Sequence, residues 1–135
     1  MPQSLTVFLH GELGAGKTTV ARGLLRELGV EGTVRSPSYT LLECYETSAH
    51  RVLHLDLYRL SGSAELAPLG IRDELNQGVL LLVEWPERAP QGLPPPDLRV
   101  TLSVAEEGRT ARLEGASAVG TAWLEAAAAA LRFQN

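Results

Sequence analysis

The sequence predicts an α/β fold in which a mixed central sheet, with parallel strands at its core, is flanked by helices. Residues 4–10 and 79–84 have the apolar composition of buried parallel strands. A pattern of apolar residues at helical spacing follows the first of them, over residues 17–28. The length of 135 residues, without a low-complexity linker, favours a single domain covering residues 1–135.

A glycine-rich segment joins the first predicted strand to the first predicted helix. It consists of Gly11, Glu12, Leu13, Gly14, Ala15, Gly16, Lys17, Thr18 and Thr19. The first eight residues fit the phosphate-binding P-loop pattern G-x-x-x-x-G-K-[ST]. Glycines at these positions let the backbone turn with positive φ, so that successive N–H groups surround a phosphate. The segment therefore predicts a P-loop nucleotide site.

Two side chains of this segment have specific expected roles. Lys17 would bridge the β- and γ-phosphates, and the Thr18 hydroxyl would bind Mg²⁺. The positive end of the helix dipole would face the phosphates. Lys17 is the one lysine of the chain, beside eleven arginines. An ammonium on a flexible stem suits this position better than a planar guanidinium does.

Composition limits the functions that the chain can perform alone. The net charge is −4 and the pI is near 5.4, with the arginines scattered along the sequence, so we expect contact with nucleic acid only through a partner. The single Cys44 has no internal disulfide partner. No apolar run approaches the roughly 18 residues of a membrane span, and the N-terminus lacks a secretory pattern. We expect a cytoplasmic protein that does not enter a membrane.

The remaining elements follow from shorter patterns. Residues 41–45 and 52–58 predict two strands, the second buried on one face, and the turn at 48–50 makes them antiparallel. Further elements are short helical stretches at 64–69 and 71–77, a loop at 86–96, a hairpin of strands 98–105 and 110–113, and a closing helix at 121–131.

Two acids and one tryptophan are candidates to act on the phosphates. Glu84 ends an aliphatic strand, where it would bind Mg²⁺ directly or through water; the alternative is an exposed acid at a strand end. Asp56 is the second acid, although with His54 and Tyr58 it could equally face solvent. Trp85 either has a direct role or anchors the core or loop.

Hydroxyl groups and histidines are weaker candidates. Ser36, Ser38 and Thr40 could contact a γ-phosphate as switch loops do, and turn chemistry explains them almost as well. The three histidines have no metal-ligand spacing with the cysteine, so we expect no zinc site. They are His10, His50 and His54.

Four segments in series resemble the TsaE family, formerly called YjeE. They are residues 11–19, 36–43, 54–60 and 84–87. The resemblance implies an ATP-binding P-loop protein that works with TsaB and TsaD to make N6-threonylcarbamoyladenosine next to the tRNA anticodon. It also implies that TsaD performs the transfer chemistry, while this chain hydrolyses ATP slowly and productively only with its partners.

The resemblance also assigns residues. It places the metal ligands at Thr18 and Glu84, the ATP contacts at residues 11–19, and a functionally sensitive aspartate and tryptophan at Asp56 and Trp85. The family carries a threonine where this chain has Ser38 and an aspartate where it has Glu12. Relatives have about one more helix and strand before the first strand, which contribute to the adenine pocket, so we expect either that the start of this chain is truncated or that base recognition is weaker here.

Two other functions stay open at this stage. A small-molecule P-loop kinase would need an arginine-bearing lid, and the loop at 86–96 has only Arg88 as a cation. A nucleotide-gated binding module would use ATP to hold one conformation, with hydrolysis unimportant.

Overall fold

The computed structural model describes residues 4–12, 17–27, 42–46, 51–58, 78–89, 91–106 and 108–134. Within these ranges the chain forms one six-stranded sheet and two α-helices. The elements are β1 (Leu5–His10), α1 (Lys17–Glu27), β2 (Leu42–Glu46), β3 (Arg51–Asp56), β4 (Leu80–Glu84), a 3₁₀ turn (Pro86–Arg88), β5 (Leu98–Ala105), β6 (Gly108–Gly115) and α2 (Ala118–Gln134).

The sheet has the strand order β2-β3-β4-β1-β5-β6. The four inner strands are parallel to one another, whereas β2 and β6 pair antiparallel with β3 and β5 at the two edges. This arrangement confirms the predicted α/β class with a parallel core. Because the inner strands run the same way, their carboxyl ends meet at one edge of the sheet, where α/β proteins bind ligands.

Apolar side chains cover both faces of the inner strands. On one face Leu9 and Leu82 pack with Ala21 and Leu25 of α1. On the other face β3 and β4 form a second cluster that includes Leu55 and Val83 with Leu57, Leu81 and Ala89. Alternate residues of a strand point to opposite faces, so these central strands are apolar on both sides and require cover on both.

Several element predictions need correction. Strand β3 is buried on both faces, not one, because Val52 packs in the apolar cluster under α1 while Leu53 and Leu55 pack in the cluster on the opposite face. In the hairpin, Gly108 lies inside β6, so its turn is shorter than the sequence suggested. The closing helix is longer at both ends than residues 121–131. The predicted turn at 48–50 and the helical stretches at 64–69 and 71–77 lie outside the described residues.

A hydrogen-bonded cluster fixes the start of α2 to the sheet. The Ser117 hydroxyl donates to Asp97 Oδ1 (2.7 Å) and accepts from the Gly120 N–H (3.0 Å), as an N-cap does. Asp97 Oδ2 accepts from the backbone N–H of Thr6 in β1 (2.8 Å). One carboxylate thereby joins β1 to α2. Within the described ranges, no helix is long and apolar enough to cross a membrane.

Candidate phosphate-binding site

The carboxyl ends of β1, β3 and β4 bring the predicted acids together. In the strand register, Glu84 of β4 lies level with Leu9 of β1 on one side and with Asp56 of β3 on the other. The side chains of all three belong to the face covered by α1, because Leu9 and Glu84 are each two residues, and Asp56 four residues, after a member of that cluster. The two carboxylates therefore lie at the sheet edge where β1 continues into Gly11.

Two residues at the ends of the glycine-rich segment are described. Gly11 has a φ of 147°, a conformation that L side chains rarely adopt, as the pattern requires at its first glycine. Lys17 is the first residue of α1, and its ammonium donates a hydrogen bond to the Gly11 carbonyl. Residues 13–16 lie outside the described ranges, so the predicted Leu13, Gly14, Ala15 and Gly16 contacts stay predictions.

The Lys17 side chain is buried, with 5% of its surface exposed. A lysine that binds phosphate needs access to its ligand, whereas here Trp85 lies against the side chain, with its ring centre 3.5 Å from the Lys17 ammonium. Glu12 and Thr19, the neighbouring members of the motif, are exposed. Thr18 lies in the first turn of α1, and its side chain is outside the described part of the structure.

Trp85 reaches Lys17 through an unusual backbone conformation. It has φ 60° and ψ 50°, the left-handed region that costs a non-glycine residue about 1–2 kcal/mol. The chain thereby turns sharply out of β4 into the 3₁₀ turn, where the Arg88 N–H donates to the Trp85 carbonyl (3.1 Å). Backbone strain of this kind is concentrated at functional sites. The strain here directs the indole ring toward the lysine.

The aromatic contact extends from Trp85 to the protein surface. The Tyr58 and Trp85 ring centres are 5.1 Å apart, and the Arg88 guanidinium carbon lies 5.7 Å from the centre of the Tyr58 ring. Tyr58 and Arg88 are exposed, whereas Lys17 is buried. The rings of Trp85 and Tyr58 thus lie between two cations, the buried Lys17 ammonium and the exposed Arg88 guanidinium. The sequence analysis did not assign Tyr58 to this site.

Glu84 is buried and hydrogen-bonded, which excludes the alternative of an exposed acid at a strand end. Only 2% of its surface is exposed. Its Oε2 lies 2.6 Å from Nε2 of His54, a residue with no exposed surface. A pair this short is a strong hydrogen bond in which the imidazole N–H donates to the carboxylate. The sequence analysis gave His54 no role, because an isolated histidine in a strand carries no recognisable pattern.

Asp56 is half-buried beside the same pair. Its Oδ1 accepts a hydrogen bond from the backbone N–H of Tyr58 (3.1 Å), which ends β3 in a tight turn. Burial raises the pKa of the Asp56 carboxyl above its usual value. The Tyr58 hydrogen bond lowers that pKa and the charge of Glu84 raises it further. Asp56 therefore does not face solvent freely, and its surroundings disfavour the ionised form of the carboxyl.

Burial also lowers the pKa of the Lys17 ammonium from its usual value, while the charges of Glu84, Glu87 and Asp56 oppose that shift. The site thus places one ammonium among several carboxylates in a partly dehydrated setting. An ammonium and hard carboxylate oxygens are the groups that bind a phosphate chain and Mg²⁺. The described residues fit such a ligand.

Four of the predicted residues therefore meet in the structure: Lys17, Asp56, Glu84 and Trp85. Ser36, Ser38, Thr40 and His50 lie outside the described residues, so their suggested roles are not tested. Among the described residues, no group of three or more histidine, cysteine, aspartate or glutamate side chains could hold a metal by itself. A metal here would depend on additional ligands from the nucleotide, from water or from the Thr18 hydroxyl.

The lysine starts a helix after a glycine turn and lies at the carboxyl edge of a parallel sheet, with acids on the adjacent strands. This arrangement defines the class of P-loop NTPases. Comparisons with known proteins then give the family. The family model "Threonylcarbamoyl adenosine biosynthesis protein TsaE" matches residues 1–113. The chain belongs to the TsaE family.

Individual relatives agree with this assignment. The tRNA threonylcarbamoyladenosine biosynthesis protein TsaE of Haemophilus influenzae is 41% identical over 111 residues, which cover 82% of this chain and 70% of that protein. The protein of the same name from Rickettsia felis is 41% identical over 104 residues, covering 76% of this chain and 60% of that protein. The one from Streptomyces coelicolor is 35% identical over 125 residues, covering 89% and 84%.

A solved structure shows the same fold. The crystal structure of YdiB from Bacillus subtilis superposes with a TM-score of 0.79 at 25% identity, covering 98% of this chain and 80% of that chain. A TM-score of this size over nearly the whole chain confirms the fold class predicted from the sequence.

Proposed function

We propose that this chain binds ATP with Mg²⁺, hydrolyses it slowly, and acts with the TsaB and TsaD proteins in the formation of N6-threonylcarbamoyladenosine in tRNA. We also infer that residues 1–135 form one P-loop domain, because the six strands of the described residues belong to one sheet. The relatives carry the name of this tRNA modification, and the chain shares their family. The biochemical details are our inference from the site.

The observation that carries the proposal is the position of Lys17 at the start of α1, close to both Asp56 and Glu84. A buried ammonium attracts the negatively charged β- and γ-phosphates, and the N-terminus of α1 adds its positive dipole end. Residues 11–19 would then surround the phosphate chain with backbone N–H groups. A bound phosphate would accept hydrogen bonds from the Lys17 ammonium in place of its present contacts with the Gly11 carbonyl and the Trp85 ring.

The roles of the remaining residues follow from their positions. Thr18 and Glu84 would hold Mg²⁺, either directly or through its water shell, and the metal would neutralise charge on the phosphates. Asp56, half-buried beside Glu84, would orient the attacking water or the water shell of the metal. Hydrolysis transfers the γ-phosphoryl group to that water and releases ADP and phosphate.

We infer that tRNA contacts this chain only indirectly, through the TsaB and TsaD proteins. Phosphate backbones are bound by dense positive charge, and this chain has a net charge of −4. The threonylcarbamoyl transfer would lie on TsaD, with ATP turnover here changing the state of the complex. The exposed ends of the site, Tyr58 and Arg88, give a partner a route to Trp85 and Lys17.

The kinase alternative has less support from the structure. Arg88, the one cation of residues 86–96, lies in a short 3₁₀ turn against Tyr58. A lid that excludes water must instead close over the transferring phosphoryl group. The nucleotide-gated module agrees with the same geometry as the ATPase, and the two differ only in whether hydrolysis is needed.

Steady-state ATP turnover of the chain, measured alone and with the TsaB and TsaD proteins, tests the proposal. We expect low turnover alone, an increase of at least about tenfold in the mixture, and its loss in Lys17→Ala. Arg112→Ala, a change of an exposed cation on β6, is the matched control and should leave turnover unchanged. Partner-dependent modification without any hydrolysis would favour the gated module. Rapid phosphorylation of a small metabolite by the chain alone would favour the kinase.

A further inference from the structure

His54 and Glu84 form a polar pair inside an otherwise apolar layer. His54 has no exposed surface and Glu84 has 2%, while Val52, two residues before His54 on the same face, belongs to the apolar cluster under α1. In the register of β3 against β4, His54 lies level with Leu82. Its ring therefore reaches diagonally across to Glu84, the next residue of β4 on the same face. The contact from Nε2 to Oε2 is 2.6 Å.

Stability does not explain this pair well. Taking a carboxylate and an imidazole out of water carries a desolvation cost, and apolar residues of similar volume often give equal or greater stability. His54 Nδ1 is also buried without a hydrogen-bond partner in the described part of the chain. In the tautomer with its proton on Nε2, the ring donates to Glu84, and the unsatisfied group at Nδ1 is only a lone pair. This tautomer makes Glu84 the one acceptor of the ring N–H.

The bond restricts the direction of the Glu84 carboxylate. The imidazole, whose backbone position is set by β3, holds Oε2 on the side of the carboxylate that faces β3. A carboxylate has about four lone-pair directions, so the hydrogen bond from His54 does not by itself prevent Glu84 from binding a metal. Hydrogen bonds from outside the ligand set commonly fix metal-binding carboxylates, and their loss reduces metal affinity by about 10- to 100-fold.

We propose that His54 is a positioning residue that orients Glu84 for Mg²⁺ in the nucleotide complex. The inference rests on the proposed function, because it takes Glu84 as a ligand of Mg²⁺ or of its water shell. It assigns His54 no contact with nucleotide. His54 therefore affects the metal-dependent part of binding and leaves the metal-free part unchanged.

The test compares three variants of the full chain. His54→Gln keeps an amide N–H at the position of Nε2. His54→Asn is also polar but too short to reach Glu84. Val52→Ala is the control, a cavity change two residues away on the same strand and face, which lowers stability without touching Glu84.

Two quantities are measured for each folded variant by titration calorimetry. The first is the dissociation constant for ADP in EDTA. The second is the Mg²⁺ concentration that gives half of the metal-dependent change in ADP affinity. Thermal melting confirms that each variant is folded at the assay temperature. These readouts do not depend on catalytic activity.

We expect His54→Asn to raise the half-maximal Mg²⁺ concentration by about tenfold or more, and His54→Gln to stay much closer to the wild type. All variants, including Val52→Ala, should bind ADP equally in EDTA. The proposal is overturned if His54→Asn keeps the wild-type Mg²⁺ dependence, or if Val52→Ala shifts it equally. If His54→Asn is unfolded at the assay temperature, it is compared with the wild type at a lower temperature at which it is folded. A shift as large as tenfold in folded His54→Gln also contradicts the proposal.

The same experiment separates this inference from the proposed function. If wild-type protein binds no ADP, or binds it without any effect of Mg²⁺, both the ATPase proposal and the role of His54 are wrong. If wild-type binding depends on Mg²⁺ and His54→Asn does not change that dependence, only the role of His54 is wrong.

Discussion

The ammonium of Lys17 lies 3.5 Å from the ring centre of Trp85, so the one lysine of the chain is covered by an aromatic face. A cation over an indole gains about 0.5–2 kcal/mol, more when it is desolvated. The contact holds Lys17 in place beside Gly11. A phosphate that binds the Lys17 ammonium must alter this contact, so the environment of the Trp85 ring should change when nucleotide binds.

Fluorescence provides the first test, because the chain has two tryptophans and the other, Trp123, is exposed on α2. We expect ADP or ATP to change the emission of Trp123→Phe, which retains Trp85. We expect no change in Trp85→Phe, which retains Trp123. A nucleotide response that persists in Trp85→Phe and disappears in Trp123→Phe would place the nucleotide away from Lys17. Calorimetry on both variants shows whether binding itself survives.

A second prediction concerns the packing of α2. A Cβ added at Gly120 would lie 1.7 Å from the Asp97 carbonyl oxygen, which is backbone and cannot move aside cheaply. Gly120→Ala should therefore lower the free energy of unfolding by about 2 kcal/mol or more. The control is Gly23→Ala in α1, where a Cβ meets nothing within 4 Å.

In Gly23→Ala the unfolded chain loses freedom without any new clash. We expect that variant to gain about 0.5–1 kcal/mol. Both values come from urea unfolding. Equal stability of the two alanine variants would contradict the close approach of α2 to Asp97.

The sequence predicted the parallel core because a continuous aliphatic run, such as residues 79–83, is typical of a strand that is buried on both faces. It predicted Lys17 and Glu84 because each follows a local pattern, a glycine spacing or a strand end. These signals lie within a few consecutive residues. In the structure, β1, which leads into the glycine-rich segment, and β4, which ends at Glu84, are neighbours in the sheet.

The sequence could not predict the partner of Glu84. His54 lies thirty positions earlier, and only the register of β3 against β4 brings its ring to the carboxylate. The contact between Trp85 and Lys17 could not be predicted for a related reason, since Trp85 leaves β4 in a left-handed backbone conformation. A tryptophan before a proline gives no local sign of that conformation. Contacts made by register or by an unusual turn require the fold.

A third prediction concerns Glu84→Gln. The glutamine oxygen can still accept the His54 N–H, so the fold should survive, but the negative charge is lost. We expect ATP turnover to fall by about 100-fold, while ADP binding in EDTA changes by less than about threefold. Glu114→Gln, an exposed acid on β6, is the control and should leave both unchanged. Equal loss of binding and turnover with a lower melting temperature would favour a structural role for Glu84.

The last prediction uses the raised pKa of Asp56, which burial and the charge of Glu84 produce. The folded state holds the proton of this carboxyl more tightly than the unfolded chain, where the pKa is near the ordinary 3.8. Between these two pKa values the folded form carries more protons, so stability from this group falls as pH rises through that window. Above the folded pKa, the ionised Asp56 is held at a constant cost.

Asp56→Asn removes that cost, because the amide is neutral at every pH and its oxygen still accepts the Tyr58 N–H. At pH 7 the variant should melt above the wild type, and the difference should shrink toward zero as the pH falls to about 3.8. Turnover with the partner proteins should fall by about tenfold or more, since the charge is lost from the site. Glu125→Gln, an exposed acid on α2, should show neither effect. Melting curves from pH 4 to pH 8 decide the matter. A variant that melts below the wild type at pH 7 would show that ionised Asp56 is stabilised by its surroundings, and a difference that does not vary with pH would show that folding leaves the pKa of Asp56 unshifted.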